Sequence, residues 1–529
     1  DYNTPHRFTK NKSGNTINEN GESLWLSRKN ESNYKIKYYT WRFGAEWQFL
    51  PKHSLSINYH GYFDDFKKQN YSEVNKFNNF KELQSYTLTD NKIIEPYHYD
   101  AGSIHYMFVI DSLGKKITAD ANYTSYRNYS DGVLITDNYD ANQNKLGTNV
   151  LKSHQPGNVD ILSTQIDANL PFKKYAIKTG VKYAKVKNDN QYEFESLEEG
   201  TYEKVPALSN HYKYNEQIAA AYITGSKEIN KTTIDAGLRV EYTKAEGYTV
   251  KENETNQWQY TKLFPSFSIG QVLNKGNKID FSLNRRINRP SYTDLNPVRW
   301  YRDQYFYYSG NPNLVPELAW VYSFTYSLKN KYVFSATYNQ SDNFINRRLL
   351  VEDNGTTIKS QSDNFGNRER FDFTVSTPFK LYSFWNLLFF SDISYTTYPI
   401  SQVSGEKQLS KWATTFTLQQ DISLPKGYKM NLSAHWFSSE LLGLYSTKAT
   451  GYVDFGIKKT FLNKKLVAQL TISDIFNTNH YEAYSQSDII DYYYNNKPDS
   501  RRFGVTLLYH LGGNLVKENR KKTEEQKRL

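Results

Sequence analysis

Apolar and polar side chains alternate one by one along much of this chain. Trp41, Phe43, Ala45, Trp47 and Phe49 fall on one face of an extended segment, and Thr40, Arg42, Gly44, Glu46 and Gln48 on the other. A period of two places one face of a β-strand against an apolar medium and the other against water. The pattern returns at Leu162, Thr164, Ile166, Ala168 and Leu170, opposed by Ser163, Gln165, Asp167 and Asn169. Ile234, Ala236, Leu238, Val240 and Tyr242 oppose Asp235, Gly237, Arg239 and Glu241. Phe503, Val505, Leu507, Tyr509 and Leu511 oppose Gly504, Thr506 and His510, with Leu508 breaking the polar side.

The connections between these strands alternate in length. Short turns centre on Pro51-Lys52, Leu113-Gly114-Lys115, Pro171-Phe172-Lys173, Asn230-Lys231, Asn274-Lys275-Gly276, Lys329-Asn330, Pro378-Phe379-Lys380, Pro425-Lys426-Gly427 and Asn463-Lys464. Pro, Gly, Asn and Lys at these places suit tight turns. Between them run long polar segments: Lys67 to Pro96, Ala141 to Asn158, Ser291 to Asn313, and Ile490 to Asp499 with its Tyr492-Tyr493-Tyr494. Short turns at one rim and long loops at the other predict an all-β fold, a transmembrane antiparallel β-barrel with periplasmic turns and extracellular loops. An Arg or Lys on the lipid face would cost about 2–4 kcal/mol near the midplane. Asp235, Arg239 and Glu241 are therefore expected to line a wet interior.

Counting from the turns gives about 19 strands beginning near Tyr38, and parity asks for one more, whose end Ser23 to Ser27 supplies. The total is about 20, within a range of roughly 18 to 22. The chain thus divides into a polar N-terminal segment over 1–37, a barrel over 38–513 and a basic periplasmic tail over 514–529. The tail carries Lys517, Arg520, Lys521, Lys522, Lys527 and Arg528 against Glu518, Glu524 and Glu525. A disordered or short helical segment is one reading of it, and docking to a partner is the other.

Composition sharpens this picture. Mean hydropathy is -0.76, and no apolar run of about 18 residues is present to form a membrane helix. A barrel reconciles a hydrophilic average with a membrane, because half of every strand faces a polar bore. Tyr numbers 46 and Phe 30, and Cys is absent, so disulfides and thiolate metal sites are excluded. The net charge of +11 is spread over loops and turns rather than gathered in a stripe, which argues against nucleic acid as a partner. No signal peptide is legible at Asp1, so the start is expected to be a processed or partial one.

A barrel of this size leaves a wide bore or holds a plug. Residues 1–37, rich in Asn, Ser and Lys, do not read as a folded plug. The plug is expected upstream of Asp1, with a second protein in the bore or an open pore as alternatives.

Two motifs add a family. Asn284-Arg285-Arg286-Ile287-Asn288-Arg289-Pro290-Ser291-Tyr292-Thr293-Asp294-Leu295-Asn296-Pro297 and Gly310-Asn311-Pro312-Asn313-Leu314-Val315-Pro316-Glu317 resemble hallmarks of the TonB-dependent receptors of Bacteroidota, in particular their outer membrane protein β-barrel family. Leu470 to Thr478 and the closing strand from Arg501 to Leu511 are similar to the same family, so the resemblance spans about Tyr38 to Gly513. It implies 22 strands, an N-terminal plug and energy drawn through the TonB system. This chain shows neither a plug nor a TonB box, so transport comes from the resemblance alone.

The motif residues also have a chemistry of their own. Pro290, Pro297, Pro312 and Pro316 interrupt a strand ladder. Arg285, Arg286 and Arg289 would anchor loop carboxylates or bind an anionic ligand. Trp300, Tyr301, Arg302, Tyr305 and Tyr307 lie in an aromatic run that suits the interface belt or a loop core. It equally suits a flat surface for sugars or peptides. These eight residues are the candidate ligand contacts. No nucleophile elbow, phosphate loop or metalloprotease motif is present, and the His residues lack metal spacing, so no enzyme, cofactor or metal is expected. Two functions follow. The first is a receptor barrel importing a ligand bound by loops and plug. The second is a structural or assembly subunit of a larger outer-membrane complex, with a surface lipoprotein as one partner. A passive channel is the weaker third. Lipid of the outer membrane is a partner in all of them.

Overall fold

The computed structural model describes residues 2–3, 6–19, 22–274, 276–352, 357–402, 405–462, 465–485, 490–509 and 523–528. One large antiparallel sheet holds 26 strands. Six short ones continue a longer strand along the same line: Tyr2–Asn3, Thr201–Lys204, Leu441–Leu442, Tyr445–Thr447, Tyr481–Ser485 and Asp491–Pro498. That leaves 20 staves among the described residues, which agrees with the total of about 20 from turns and parity.

The two faces divide as the alternation predicts. Phe43 and Trp47 are exposed on the outside, as are Ile166, Leu238, Val240 and Leu263. In the membrane this exposed face is what lipid covers. Inside, Arg239 meets Glu241 at 2.6 Å and Ser268 donates to Asp235 at 3.0 Å. The charged set lines the bore, because a charge facing the acyl chains would cost several kcal/mol that water-facing placement avoids.

Several segments read as loops are strands instead. His53–Phe77 and Leu83–Val109 run on past Lys67 and Pro96 to a turn at 78–82. Lys145–Pro171 absorbs most of Ala141 to Asn158, and Asp491–Pro498 takes up the Tyr492 run. These stave ends stand above the membrane belt, where water wets both faces. The ladder continues there without apolar alternation to announce it. The same reason moves the start of the wall. Glu22–Leu50 is one strand of 29 residues, preceded by His6–Glu19, so among the described residues of 1–37 the wall takes far more than the single strand end expected at Ser23 to Ser27. Pro378-Phe379-Lys380 is not a turn: Pro378 pairs with Leu388 inside Arg368–Tyr382, and the reversal comes at 383–384. Phe379 and Leu381 stay exposed on the outer face, so the strand period outlasts the proline. The expected turn at Asn463-Lys464 lies outside the described residues, as does Lys275.

The seam of the wall is closed in its upper part by Thr9 to Thr16 laddered on Asp491–Pro498. Lower down, residues 40–50 have a ladder only on the side of His53–Phe77. Arg502–Tyr509 has one only with Leu466–Ser473. Among the described residues, each keeps one open edge.

The Ser291–Asn313 region, expected as a long loop, is irregular and turns inward. It carries a helical turn, Tyr292–Leu295. A second sheet of four strands follows, Trp300–Asp303, Phe306–Ser309, Ile358–Asn364 and Ile345–Val351. This small sheet forms a hatch. Phe306, Phe344, Leu349, Ile358 and Phe365 share its core with Tyr398, Ile400, Leu409 and Tyr492 of the wall strands.

Candidate functional site

The hatch and the segment leading into it make the site. Arg289 leaves the strand Asn277–Asn288 and pairs with Glu241 of the wall at 2.7 Å, while Thr243 Oγ1 accepts at 3.2 Å. Its side chain is buried, so it anchors the loop base. Ser291 caps the helical turn by accepting from the Asp294 amide at 3.1 Å, the ordinary role of Ser at that position. Asp294 Oδ1 in turn accepts from Ser362 at 2.6 Å, which ties the turn to the hatch. Tyr292, Leu295 and Leu314 bury against Val159, Ile161 and Val186 on the inner wall.

The second motif is read by backbone contact. Gly310 donates to the Asn296 carbonyl at 2.8 Å, and Asn311 to that of Asp294 at 2.6 Å. A Cβ on Gly310 would sit 2.6 Å from the Asp294 oxygen. The glycine is there because two chain segments touch. Beyond it, Asn364 brackets Val315, accepting from its amide at 2.9 Å and donating to its carbonyl at 3.0 Å.

A buried ion pair holds the hatch to the wall. Arg28 and Asp303 have fully buried side chains 3.4 Å apart, and Arg28 also donates to Asn15. Arg302 joins them, 3.3 Å from Asp303 and 4.0 Å over the Phe306 ring. It donates to the Tyr492 hydroxyl at 3.4 Å. Tyr307 donates to Glu352 at 2.5 Å, and burial, aided by that bond, pushes its phenol up. Burial pulls the Lys359 ammonium down.

The eight candidates therefore scatter. Arg289, Arg302 and Tyr307 are bound within the fold. Tyr305 lends its carbonyl to Ile358 at 2.9 Å, and Tyr301 packs its ring edge-on to Phe194. Arg285 lies 5.6 Å over Trp320 and donates to the Leu263 carbonyl at 3.4 Å. Arg286 is exposed on the opposite face. Trp300 borders a cavity of about 240 Å³ between the hatch segment and the wall, while Arg285 lines one of about 830 Å³ in the bore and Arg289 one of about 490 Å³ at the loop base. The other walls of the Trp300 cavity are mostly amides, Asn128, Gln155, Asn188, Asn190 and Asn296, with tyrosines between and one carboxyl, that of Glu95. Asn296 donates to the Tyr192 hydroxyl. Sequence reading missed these amides because isolated Asn residues on wet strands carry no signal until the staves set them side by side. Among the described residues, no group of three His, Asp or Glu could hold a metal ion.

Residues 523–528 occupy the bore. Lys182 Nζ lies 2.8 Å from Glu525 and 2.9 Å from Glu524. Gln526 donates to Thr124 at 2.7 Å, and Arg528 pairs with Glu216. Thr124, Lys182 and Glu216 alternate with the exposed Tyr123, Val181 and Tyr183, and with the outward Gln217, so they face inward. The expected periplasmic tail is thus, over its described residues, a lumenal one. Mixed charge reads as solvated tail in sequence, yet here it matches a mixed-charge wall.

Residues 109–509 match the family model described as "Outer membrane protein beta-barrel family". None of the curated proteins matches the chain. Among solved structures, the chain is similar to the ferripyoverdine receptor of the Pseudomonas aeruginosa outer membrane at 11% identity. That match has a TM-score of 0.56 and covers 93% of this chain and 71% of that one. It is similar to the ferric citrate transporter FecA at 11% identity and TM-score 0.53, over 93% and 78% of the two chains. The copper transporter OprC gives 9% identity and TM-score 0.54 over 94% and 80%. At such identities the likeness speaks for the fold alone, which this chain shares with those receptor and transporter barrels. The match over most of its length shows that this chain belongs to the outer membrane protein β-barrel family and resides in the outer membrane.

Proposed function

We propose that this chain is the barrel of a TonB-dependent import receptor, and that it captures a small, uncharged, hydroxyl-rich ligand at the cavity beside Trp300. The observation that carries the ligand class is the lining: amides of Asn128, Asn188, Asn190 and Asn296 beside aromatic rings, with one carboxyl, Glu95, and, among the described residues, no cation to hold an anionic ligand. Amides match hydroxyls in both directions, and rings stack on their apolar faces. Among the eight candidates, Trp300 is the ligand contact, and Arg289, Arg302 and Tyr307 position the hatch over it. A hatch anchored to the wall supports a receptor that opens on demand rather than a permanently open pore. Energy would come through a plug in the bore. The open edges at residues 40–50 and Arg502–Tyr509 support a further strand there, continuing Tyr2–Asn3 toward the near rim, since lipid tolerates no unpaired ladder.

Uptake tests the reading. Energised cells expressing the full protein are offered a labelled neutral oligosaccharide and, in parallel, a labelled anionic ferric chelate. The oligosaccharide should accumulate, an uncoupler should stop it, and Trp300→Ala or Asn190→Ala should cut uptake about tenfold, the effect of losing about 1.4 kcal/mol of binding. Preference for the chelate overturns the ligand class. Energy-independent results for both, unchanged by Trp300→Ala, would favour a structural subunit of an outer-membrane complex.

A further inference from the structure

We propose that the inner wall around Thr124, Lys182 and Glu216 is a docking site for a short peptide bearing paired carboxylates and, a few residues on, a cation. Its occupant is the chain's own 523–528 segment, acting as a latch beneath the hatch.

The contacts fall in register. Glu524 and Glu525 converge on Lys182, Gln526 reaches Thr124, and Arg528 reaches Glu216. Four buried side chains carry the charge: Lys182 is 6% exposed, Glu525 2%, Glu216 2% and Arg528 10%. Charges so deeply desolvated are tolerated only when paired. Emptied of the segment, the wall would present a cation and an anion whose matched partners had gone. An inner wall serving only as a wet lining has no need of such a pattern.

The segment also touches the site above. Arg528 Nε donates to the Pro290 carbonyl at 3.1 Å, and its guanidinium lies 4.5 Å from the Tyr292 ring centre. Pro290 and Tyr292 begin the helical turn that holds Asn296 at the cavity. Arg239, 4.0 Å from Glu524, bonds Glu241, which in turn holds Arg289. The latch therefore grips both ends of the loop base. While it is seated, the turn at Tyr292–Leu295 is fixed. When it leaves, that turn loses its support from below and the bore gains the volume the segment filled.

Two measurements on the full-length protein in outer-membrane vesicles test this. The chain has no cysteine, so Thr124→Cys with Gln526→Cys gives a unique pair for a short bismaleimide. An intramolecular cross-link is expected, and none with Tyr123→Cys, which faces out. Hydrogen exchange then reads the latch's effect on residues 289–296. Arg528→Glu should speed exchange there at least about tenfold, because breaking one side of a buried pair is costly. The swap Glu216→Arg with Arg528→Glu should restore it. Removal of residues 523–528, which leaves the barrel sequence intact, should match Arg528→Glu. Absence of the Thr124–Gln526 cross-link overturns the docking. Unchanged exchange in both Arg528→Glu and the shortened chain overturns the latch.

Discussion

The wall and the hatch are both β-sheet, yet they are stabilised by different means. Around Thr232–Thr249, every backbone group of the stave is laddered to a neighbour on each side, and the outer side chains need only be apolar. The hatch has four short strands, and beside the one apolar core it shares with the wall its attachment rests on a few polar anchors, Arg28 with Asp303 and Arg289 with Glu241. A wall built on distributed contacts is insensitive to any one residue and hard to open. A hatch built on a few buried contacts is specific in position and can be released by breaking one of them.

The largest effect should come from the buried pair. Asp303→Ala leaves the guanidinium of Arg28 buried without its carboxylate, at a cost of about 3–5 kcal/mol. The loss should fall on the hatch. Proteolysis within 300–309 and 345–364 should become rapid while the membrane staves stay protected. Uniform protection across both regions would show that the hatch is as distributed in its stabilisation as the wall.

Next comes the outer face. Leu238 lies in the middle of the lipid-facing row, and Leu238→Arg should cost about 2–4 kcal/mol in bilayer unfolding by urea. Three residues away, Asp235→Asn changes an inward side chain that accepts one hydrogen bond from Ser268, and should cost less than about 1 kcal/mol. Equal costs would mean that the two faces are not divided between lipid and water.

How much of this was legible in the sequence follows from the same contrast. The stave at Ile234 to Tyr242 could be read outright, since lipid on one side and water on the other impose a period of two. Above the membrane that constraint lapses. Glu73, Lys76 and Asp137 stand on well-formed ladders whose faces are both polar, so the strand ends read as loops. In the hatch, Arg289 and Arg302 announced a special place, but not whether they faced a ligand or a carboxylate. Their partners Glu241 and Asp303 are fixed only by the fold. The cavity amides Asn188 and Asn190 and the lumenal pairing of Glu525 with Lys182 join residues far apart in the chain, which no local pattern encodes.

Gly310 sharpens the comparison at one atom. It sits where the hatch strand Phe306–Ser309 ends against the Asp294 and Asn296 carbonyls. Gly310→Ala should force these segments apart at a cost of about 1–3 kcal/mol, as overpacking does. Gly225, whose added Cβ would meet nothing within 4 Å, is the wall's counterpart: Gly225→Ala should be neutral or slightly stabilising. Exchange at residues 292–296 should rise for the first variant and stay constant for the second.

The smallest effect concerns charges at the rim of the wall. Lys448 Nζ meets Glu482 at 2.8 Å, and that bond holds the Glu482 carboxyl below its usual range. A carboxyl whose folded value is depressed stabilises fully above its unfolded value of about 4.3. Its contribution fades as pH falls through the lower folded value. Glu482→Gln should therefore lower the unfolding temperature slightly at neutral pH. The difference should shrink as the solution is acidified below that carboxylate range, and molar salt should shrink it too, since both side chains meet solvent. The Arg28–Asp303 pair, sealed from ions, should show no such salt dependence. If salt erased the effect of Asp303→Ala as it erases that of Glu482→Gln, the hatch anchor would be wet. The distinction between a wall held by ladders and a hatch held by buried charge would then fail at its central contact.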